Sequence, residues 1–508
     1  MNNPIKIKSA LLSVYSKDRL ENVARLLEKH NISILSTGGT FEFLSSKGFK
    51  ATSVETLTAY PSILSGRVKT LHPKIFGGIL WQRDQIADTG DVEKYEIPSI
   101  DLVVVDLYPF EKTVESTDNE SEIIEKIDIG GISLIRAAAK NFKYILVIPS
   151  IDYYDKLIEL LKEKQGYTTL EDRKYFAAHA FNLSSHYDIE IFKYFNRKDN
   201  ITSFKQSFLQ HTSLRYGENP HQTGRFFGDL DKMFNQLHGK GLSYNNIVDI
   251  DSAINLISEF SDPTVAIIKH TNPCGISTRS SLKEAYTDAL ACDPLSAFGG
   301  IIIANKNIDP ATAEELNKLF FEIIIADGYD DDALALLKTK KNRIILQKKS
   351  LNISGRQFKS VLNGVLEQDK DLITELASDF RYVTNKRPSE SEIIELVFAN
   401  KVVKHLKSNT IALVKNQQLI GCGMGQTSRV DAVKQAILKA SSFNFNTKNA
   451  VMASDAFFPF SDSVKIAHEA GITSIIQPGG SIRDVDSINY CNENDISMVF
   501  TGIRHFKH

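Results

Sequence analysis

The chain has 508 residues, 42% hydrophobic and 24% charged, which excludes a disordered or collagen-like polymer and predicts more than one folded core. Sixty Lys and Arg against sixty-two Asp and Glu leave a formal charge of −2, so no global field gathers nucleic acid or an anionic bilayer, and small charged ligands are the expected partners. Four widely spaced cysteines, Cys274, Cys292, Cys422 and Cys491, make no disulfide framework and imply a reducing, cytoplasmic setting. The first twenty residues hold no apolar core of signal length, and the longest apolar runs fall far short of the roughly 20 residues that cross a membrane.

Residues 8–15 read as a strand, and Leu20, Val23, Ala24 and Leu27 follow at helical spacing. Residues 32–36 form a second strand, and 101–108 and 144–149 are continuous apolar runs suited to strands buried on both faces. The alternation predicts a parallel sheet wrapped by helices. Helical spacing runs from 171 to 196 without Pro or Gly, and the polar stretch after it sets a domain boundary at 199/200. Apolar runs at 265–270, 299–305, 322–327, 409–414, 450–454, 473–477 and 496–502 predict a second α/β region in two halves, split near 365–390.

Several strand-to-helix junctions carry chemistry. Thr37-Gly38-Gly39-Thr40 offers hydroxyls and close backbone approach at a helix start, which suits a phosphate or simply a tight turn. Arg67, Lys69, Thr70 and His72 lie in one loop that either clamps an anion or is solvated. Asp128 and the pair Gly130-Gly131 precede a helix carrying Arg136 and Lys140 four apart. Lys269-His270 ends an apolar strand, where a cation beside the imidazole favours a neutral ring able to accept a proton. Residues 214–222 mix a cation, phenol, carboxylate and imidazole, 421–429 read as a glycine-rich strand-to-helix loop, and 454–460 display three aromatics around Pro459. A deaminase-like zinc site is not expected: His270 lacks the H-x-E pattern and Cys274 has no cysteine three residues on.

Taken in order, STGGT, GRVKTLHP, LYPF, IDIGG with RAAAKN, LRYGENPHQ, GKGLSYNNIVD, IKHTNPCG, CDPLSAFGG, KHLKSN, GQTSR, SDAFFPF, QPGGSIRD and TGIRHFKH closely resemble the bifunctional AICAR formyltransferase/IMP cyclohydrolase family of purine biosynthesis, over essentially the whole chain. The resemblance implies an α/β fold with a methylglyoxal-synthase-like cyclohydrolase domain over 1–199. It implies a formyltransferase domain over 200–508, built of tandem cytidine-deaminase-like α/β subdomains. It further implies 10-formyltetrahydrofolate as co-substrate, AICAR, FAICAR and IMP as ligands, no metal, and a homodimer with the transferase site at its interface.

For ring closure the family pattern points to Lys17, Thr37, Gly38, Gly39, Thr40, Arg67, Lys69, Thr70 and Asp106 around the nucleotide, Asp128 and Tyr108 lining the closing ring, and Lys140 as proton-transfer residue. For transfer it points to His270 as base, Lys269 in support and Asn409 beside the reacting centre. Arg215, Tyr216, Gly299, Glu322, Arg429, Arg504 and His508 match nucleotide-holding positions. Val430, Phe457, Asp462, Ser481 and Ile482 match the folate-facing set. Two positions depart from the pattern: Tyr15-Ser16 stand where Ser-Asp is usual, and Asp106 where Asn is common. They motivate a rival reading, a monofunctional formyltransferase with a degenerate cyclohydrolase site. A second rival, a non-catalytic nucleotide sensor, would need phosphate grips but none of the proton-transfer groups.

Overall fold

The computed structural model describes residues 4–349 and 354–508, which fall into two units, Met1–Leu209 and Gln210–His508. The division lies beyond 199/200 because the polar stretch stays with the first unit, where Ser207 Oγ lies 3.0 Å from His186 Nδ1.

In the first unit β1 (Ser9–Val14), β2 (Ser33–Ser36), β3 (Ala51–Ser53), β4 (Leu102–Asp106) and β5 (Leu146–Ile148) form one sheet in the order β3-β2-β1-β4-β5. Every pairing is parallel. Leu102 to Val105 are wholly buried, as expected where helices cover both faces. α1 (Leu20–Lys29), α2 (Gly38–Ser46), α3 (Gly130–Lys140) and α4 (Leu170–Phe195) supply that cover. Strand order reverses at β1, so the carboxyl ends of β1 and β4 flank a crevice of the kind that binds ligands in open α/β sheets.

The second unit is built on a twelve-stranded sheet. Its first half contains β6 (Phe234–His238), β7 (Thr264–Lys269), β8 (Asn272–Thr278), β9 (Ile301–Ala304), β10 (Ile323–Ala326) and β11 (Ile344–Lys348). The second contains β12 (Arg381–Tyr382), β13 (Ile411–Lys415), β14 (Gln418–Gly423), β15 (Val451–Ser454), β16 (Ser474–Gln477) and β17 (Ser497–Phe500). The order β6-β11-β10-β9-β7-β8-β14-β13-β15-β16-β17-β12 makes the halves topological copies, each an antiparallel hairpin beside three mutually parallel strands and an antiparallel edge. They meet at β8 and β14 through one register pair, Ser277 with Gln418.

Alternation along the strands feeds two apolar layers. Ala266, Ile268, Ile301, Ile303, Ala412, Val414 and Val451 join α5 (Tyr244–Ile257) and α9 (Glu390–Lys404) in a single core running under both halves. On the opposite face each half has its own core. Val265, Ile267 and Ile302 pack with α6 (Leu282–Cys292), α7 (Pro310–Leu316) and α8 (Asp331–Lys338). Ile411, Leu413 and Met452 pack with α10 (Arg429–Ser442), α11 (Asp462–Glu469) and α12 (Asp484–Glu493). Between these cores lies a crevice of about 280 Å³, lined by Lys269, His270, Cys274, Cys292, Cys422 and Lys439 among others. The four cysteines are free and buried. Among the described residues, no helix is long and apolar enough to cross a membrane.

The sequence reading of 421–429 as one loop is corrected here: Gly421 and Gly423 belong to β14. They let α10 lie against the strand, since a Cβ at Gly423 would stand 2.0 Å from the Ala432 carbonyl oxygen. Gly423→Ala should therefore overpack this contact and cost about 1–3 kcal/mol, read as a lower denaturation midpoint with an unchanged denaturant slope.

Candidate active sites

In the first unit β1 runs into Lys17, β2 into Thr37–Thr40 and β4 into Tyr108, so these groups meet at adjacent strand ends. Thr37 occupies the N-cap of α2, leaving Gly38 and Gly39 in the first turn, where backbone N–H groups lack intrahelical acceptors. The Lys69 ammonium stands 3.7 Å from the place a Gly38 Cβ would fill, so a cation overlies that helix start. Together they form an anion cradle. Lys17 Nζ donates to Thr40 Oγ1 at 3.2 Å and to the Val14 carbonyl, and burial lowers its pKa despite Asp106.

Asp128 Oδ1 accepts from the Gly131 N–H at 2.6 Å, and the Asp128 N–H donates to Tyr187 at 2.9 Å. Burial raises the Asp128 carboxyl pKa and, with the Asp128 charge adding to it, that of the Tyr108 phenol. Burial thus makes this carboxyl hold its proton longer and the Lys17 amine shed one more readily. Thr70 lies over the start of α3, its Oγ1 2.9 Å from the Cβ position of Gly130.

The two departures have local roles. Tyr15 packs edge-on against Tyr108 at 5.4 Å, with the Lys126 ammonium 5.7 Å from each ring. Asp106 Oδ2 accepts from the Ser16 N–H at 2.9 Å, and burial raises its pKa.

Three residues of this unit have surroundings of their own. Lys140 closes α3, roughly 15 Å along the axis from its first turn by helical rise, and is exposed without a hydrogen bond or ion pair among the described residues. Arg67 turns outward to pair with Glu125. His72 accepts from the Lys74 N–H at 3.1 Å, capping the following helix.

In the second unit the antiparallel hairpins bring the end of β7, the starts of β8, β9, β10 and β13, and the ends of β14 to β17 to one end of the sheet. His270 and Thr271 form the two-residue turn between β7 and β8, with φ of 50° and 66°. Thr271 is β-branched, so this left-handed backbone is strained and must be held by its surroundings. Asp249 on α5 holds it, accepting from the Thr271 N–H at 2.7 Å, while Ser252 Oγ donates to the Thr271 carbonyl at 2.6 Å. Burial raises the Asp249 carboxyl pKa, and the Thr271 N–H opposes that rise.

Lys269 Nζ donates to the Phe298 carbonyl at 2.8 Å and lies 3.4 Å from the Cβ position of Gly299. Glu322, at the start of β10, accepts from Asn246 at 3.1 Å. Asn272 ties the turn to the other half: its amide donates to the His270 carbonyl at 2.9 Å and its oxygen accepts from the Lys407 N–H at 3.1 Å. Next in that chain, Asn409 Oδ1 accepts from Arg429 at 2.8 Å, and Arg429 also pairs with buried Asp455.

Phe457, Ser481 and Arg504 follow the carboxyl ends of the parallel strands β15, β16 and β17. Asp462 begins α11, and Val430 lies in the first turn of α10. Ile482 is fully exposed at 102%, and Phe457 and Phe460 are exposed too, whereas Phe458, expected among the displayed aromatics, is core. Arg504 lies over the Phe506 ring, which packs edge-on with His508. Arg215 and Tyr216 lie on an irregular segment, and no hydrogen bond or ion pair joins them to the His270–Arg429 chain among the described residues. Asp249, Asn272 and Asp455 escaped the sequence reading although each lies within a quoted motif, because nothing local distinguishes a turn-holding carboxylate from a surface one.

The cradle at α2 is testable with a simple anion. Inorganic phosphate should bind the full-length protein, and Lys69→Ala should weaken binding about tenfold by calorimetry, the loss expected for one charge-assisted contact.

The AICARFT/IMPCHase bienzyme family model matches residues 138–439, and an MGS-like domain model matches residues 19–133. A bifunctional purine biosynthesis protein PurH from Bacteroides thetaiotaomicron is 56% identical over 508 residues, covering 100% of both chains. Proteins of the same name from Caldicellulosiruptor bescii and Aquifex aeolicus are each 46% identical, covering 99% and 98% of this chain and 100% of their own. A crystal structure of ForH is 33% identical over 37% of this chain and 99% of its own, with a TM-score of 0.33. Matched over its whole length by such relatives, the chain belongs to the AICARFT/IMPCHase bienzyme family of bifunctional purine biosynthesis enzymes.

Proposed function

We propose that the second unit transfers a formyl group from 10-formyltetrahydrofolate to AICAR, and that the first unit closes the product, FAICAR, to IMP with loss of water. The observation carrying this reading is the meeting of both halves at one end of the sheet, where Asn272 bonds the His270 carbonyl and the Lys407 N–H, and Asn409, two residues on from Lys407, accepts from Arg429.

The 5-amino group of AICAR is a poor nucleophile because its lone pair is delocalised into the ring and carboxamide. His270 takes its proton as nitrogen bonds to the formyl carbon, and the bond from that carbon to the folate nitrogen breaks as the nitrogen is reprotonated. Lys269 and Asn409 polarise the reacting groups, with Arg429, Arg504, His508, Gly299 and Glu322 holding the nucleotide. Phe457 and Ile482, exposed beside Ser481, Asp462 and Val430, offer a surface for the flat pterin. Arg215 and Tyr216 reach a nucleotide in a homodimer. The exposed strand pair Arg356–Val361 and Gly364–Asp369, bearing Leu362 and Leu366, supports a covering second copy. Four free thiols fit a cytoplasmic enzyme.

For closure, the cradle of Thr37 to Thr40 and Lys69 holds the phosphate, and Lys17, Tyr108 and Asp128 serve the reacting ring. The carboxamide nitrogen attacks the formyl carbon and the formyl oxygen leaves as water, so one group gives and another takes a proton. On the family pattern, Lys140 is the residue that moves the proton.

Wild-type protein given FAICAR without folate should form IMP, followed by absorbance; no conversion would favour the monofunctional rival. His270→Ala should abolish transfer and leave cyclisation intact. Asp249→Ala should cut transferase kcat about tenfold with little change in KM, because it frees the turn that aims the imidazole.

A further inference from the structure

The last residues, Arg504 to His508, alternate in exposure: His505 and Lys507 turn inward while Arg504, Phe506 and His508 are exposed. The inward pair anchors the segment. The His505 side chain is 1% exposed and lies between two carboxylates, Nδ1 2.6 Å from Asp371 Oδ2 and Nε2 3.0 Å and 3.1 Å from the oxygens of Glu375. Ionised carboxylates only accept hydrogen bonds, so both ring nitrogens donate and the ring is an imidazolium. Its backbone N–H donates to the Asp455 carbonyl at 3.0 Å. Lys507 is bonded through its backbone to Ser408 in both directions, at 3.0 Å each, and through its ammonium to the His405 carbonyl at 3.2 Å. The anchor thus fastens the chain beside Asn409 and the Arg429–Asp455 pair.

Resting on the reading of Arg504 and His508 as nucleotide contacts, we propose that His505 is a positioning residue: its imidazolium, clamped by Asp371 and Glu375, holds the terminal segment so that Arg504 and His508 face the transferase substrate. The charged and titratable groups around the clamp come from three directions. Asp371 and Glu375 precede β12, and Asn400 on α9 donates to Glu375 at 2.9 Å. Lys404 on α9 donates to the Ile373 carbonyl at 2.7 Å and pairs with Glu259, which also accepts from His405. Asp455, on the third side, is neutralised by Arg429.

Burial by itself would lower the His505 pKa, but Asp371 and Glu375 outweigh it and raise it to about 9. The folded value lies above the ordinary one, so the clamp contributes fully below about pH 6.5 and is lost as pH rises through about 9.

The test compares wild type, His505→Gln, Asp371→Asn and Arg504→Ala in the full-length protein, at matched pH. Hydrogen exchange of amides 503–508 reads the clamp, the transferase KM for AICAR reads its consequence, and FAICAR cyclisation is the folding control. His505→Gln should speed that exchange and raise KM about tenfold with a smaller change in kcat, since the competent fraction falls, while cyclisation is unchanged. Wild-type KM should climb as pH passes about 9, and Asp371→Asn should move that climb to lower pH. Asp371 is partly exposed, so its variant serves if His505→Gln fails to fold. A terminal segment that stays protected in both variants overturns the clamp. A released segment with unchanged KM also overturns the proposal, and Arg504→Ala then locates the fault: a raised KM there faults the clamp alone, an unchanged KM faults Arg504 as a nucleotide contact.

Discussion

Strand direction is the constraint on which the second unit depends. Each half contains a hairpin closed by two residues with positive φ, His270-Thr271 in one and Asn416-Gln417 in the other. Joining the halves antiparallel at Ser277 and Gln418 turns one copy upside down relative to the other. The amino ends of one set of parallel strands and the carboxyl ends of the other then share one sheet end. The fold therefore brings His270 from one half and Asn409, Arg429 and Arg504 from the other to the same end of the sheet.

The first unit solves a simpler problem with one polarity. All five strands are parallel, so the carboxyl ends of β1, β2 and β4 present Lys17, the Thr37–Thr40 turn and Tyr108 together. Burial shifts the Lys17 and Asp128 pKa values toward each other, which a solvated surface would not do. Lys69 adds fixed charge above a helix start.

Elements with continuous apolar runs were legible in the sequence: 101–108 contains β4, and the triple isoleucines of 301–303 and 323–325 are β9 and β10. β8 was hidden because Pro273 and Gly275 read as turn residues. Gly275 is there because a Cβ would lie 1.9 Å from the Ala289 carbonyl oxygen of α6. β14 was hidden in the same way by Gly421 and Gly423. Within the quoted motifs, the residues of conspicuous chemistry were named, and those that bond across the fold were not. Asp249 and Asn272 act on the His270 turn over sequence separations that no local pattern reports.

The seam between the halves is fastened at both ends. At its lower end Arg279 reaches the Thr278 and Asn416 carbonyls and the Gln418 side chain, and pairs with Asp288 at 2.6 Å. Toward His270 the strands part around the crevice, which the Asp293–Lys439 ion pair crosses and the Asn272–Lys407 hydrogen bond closes at the turn. Sliding one half past the other would have to break ties at both ends of the seam, so the spacing of His270 from Asn409 is held from two directions.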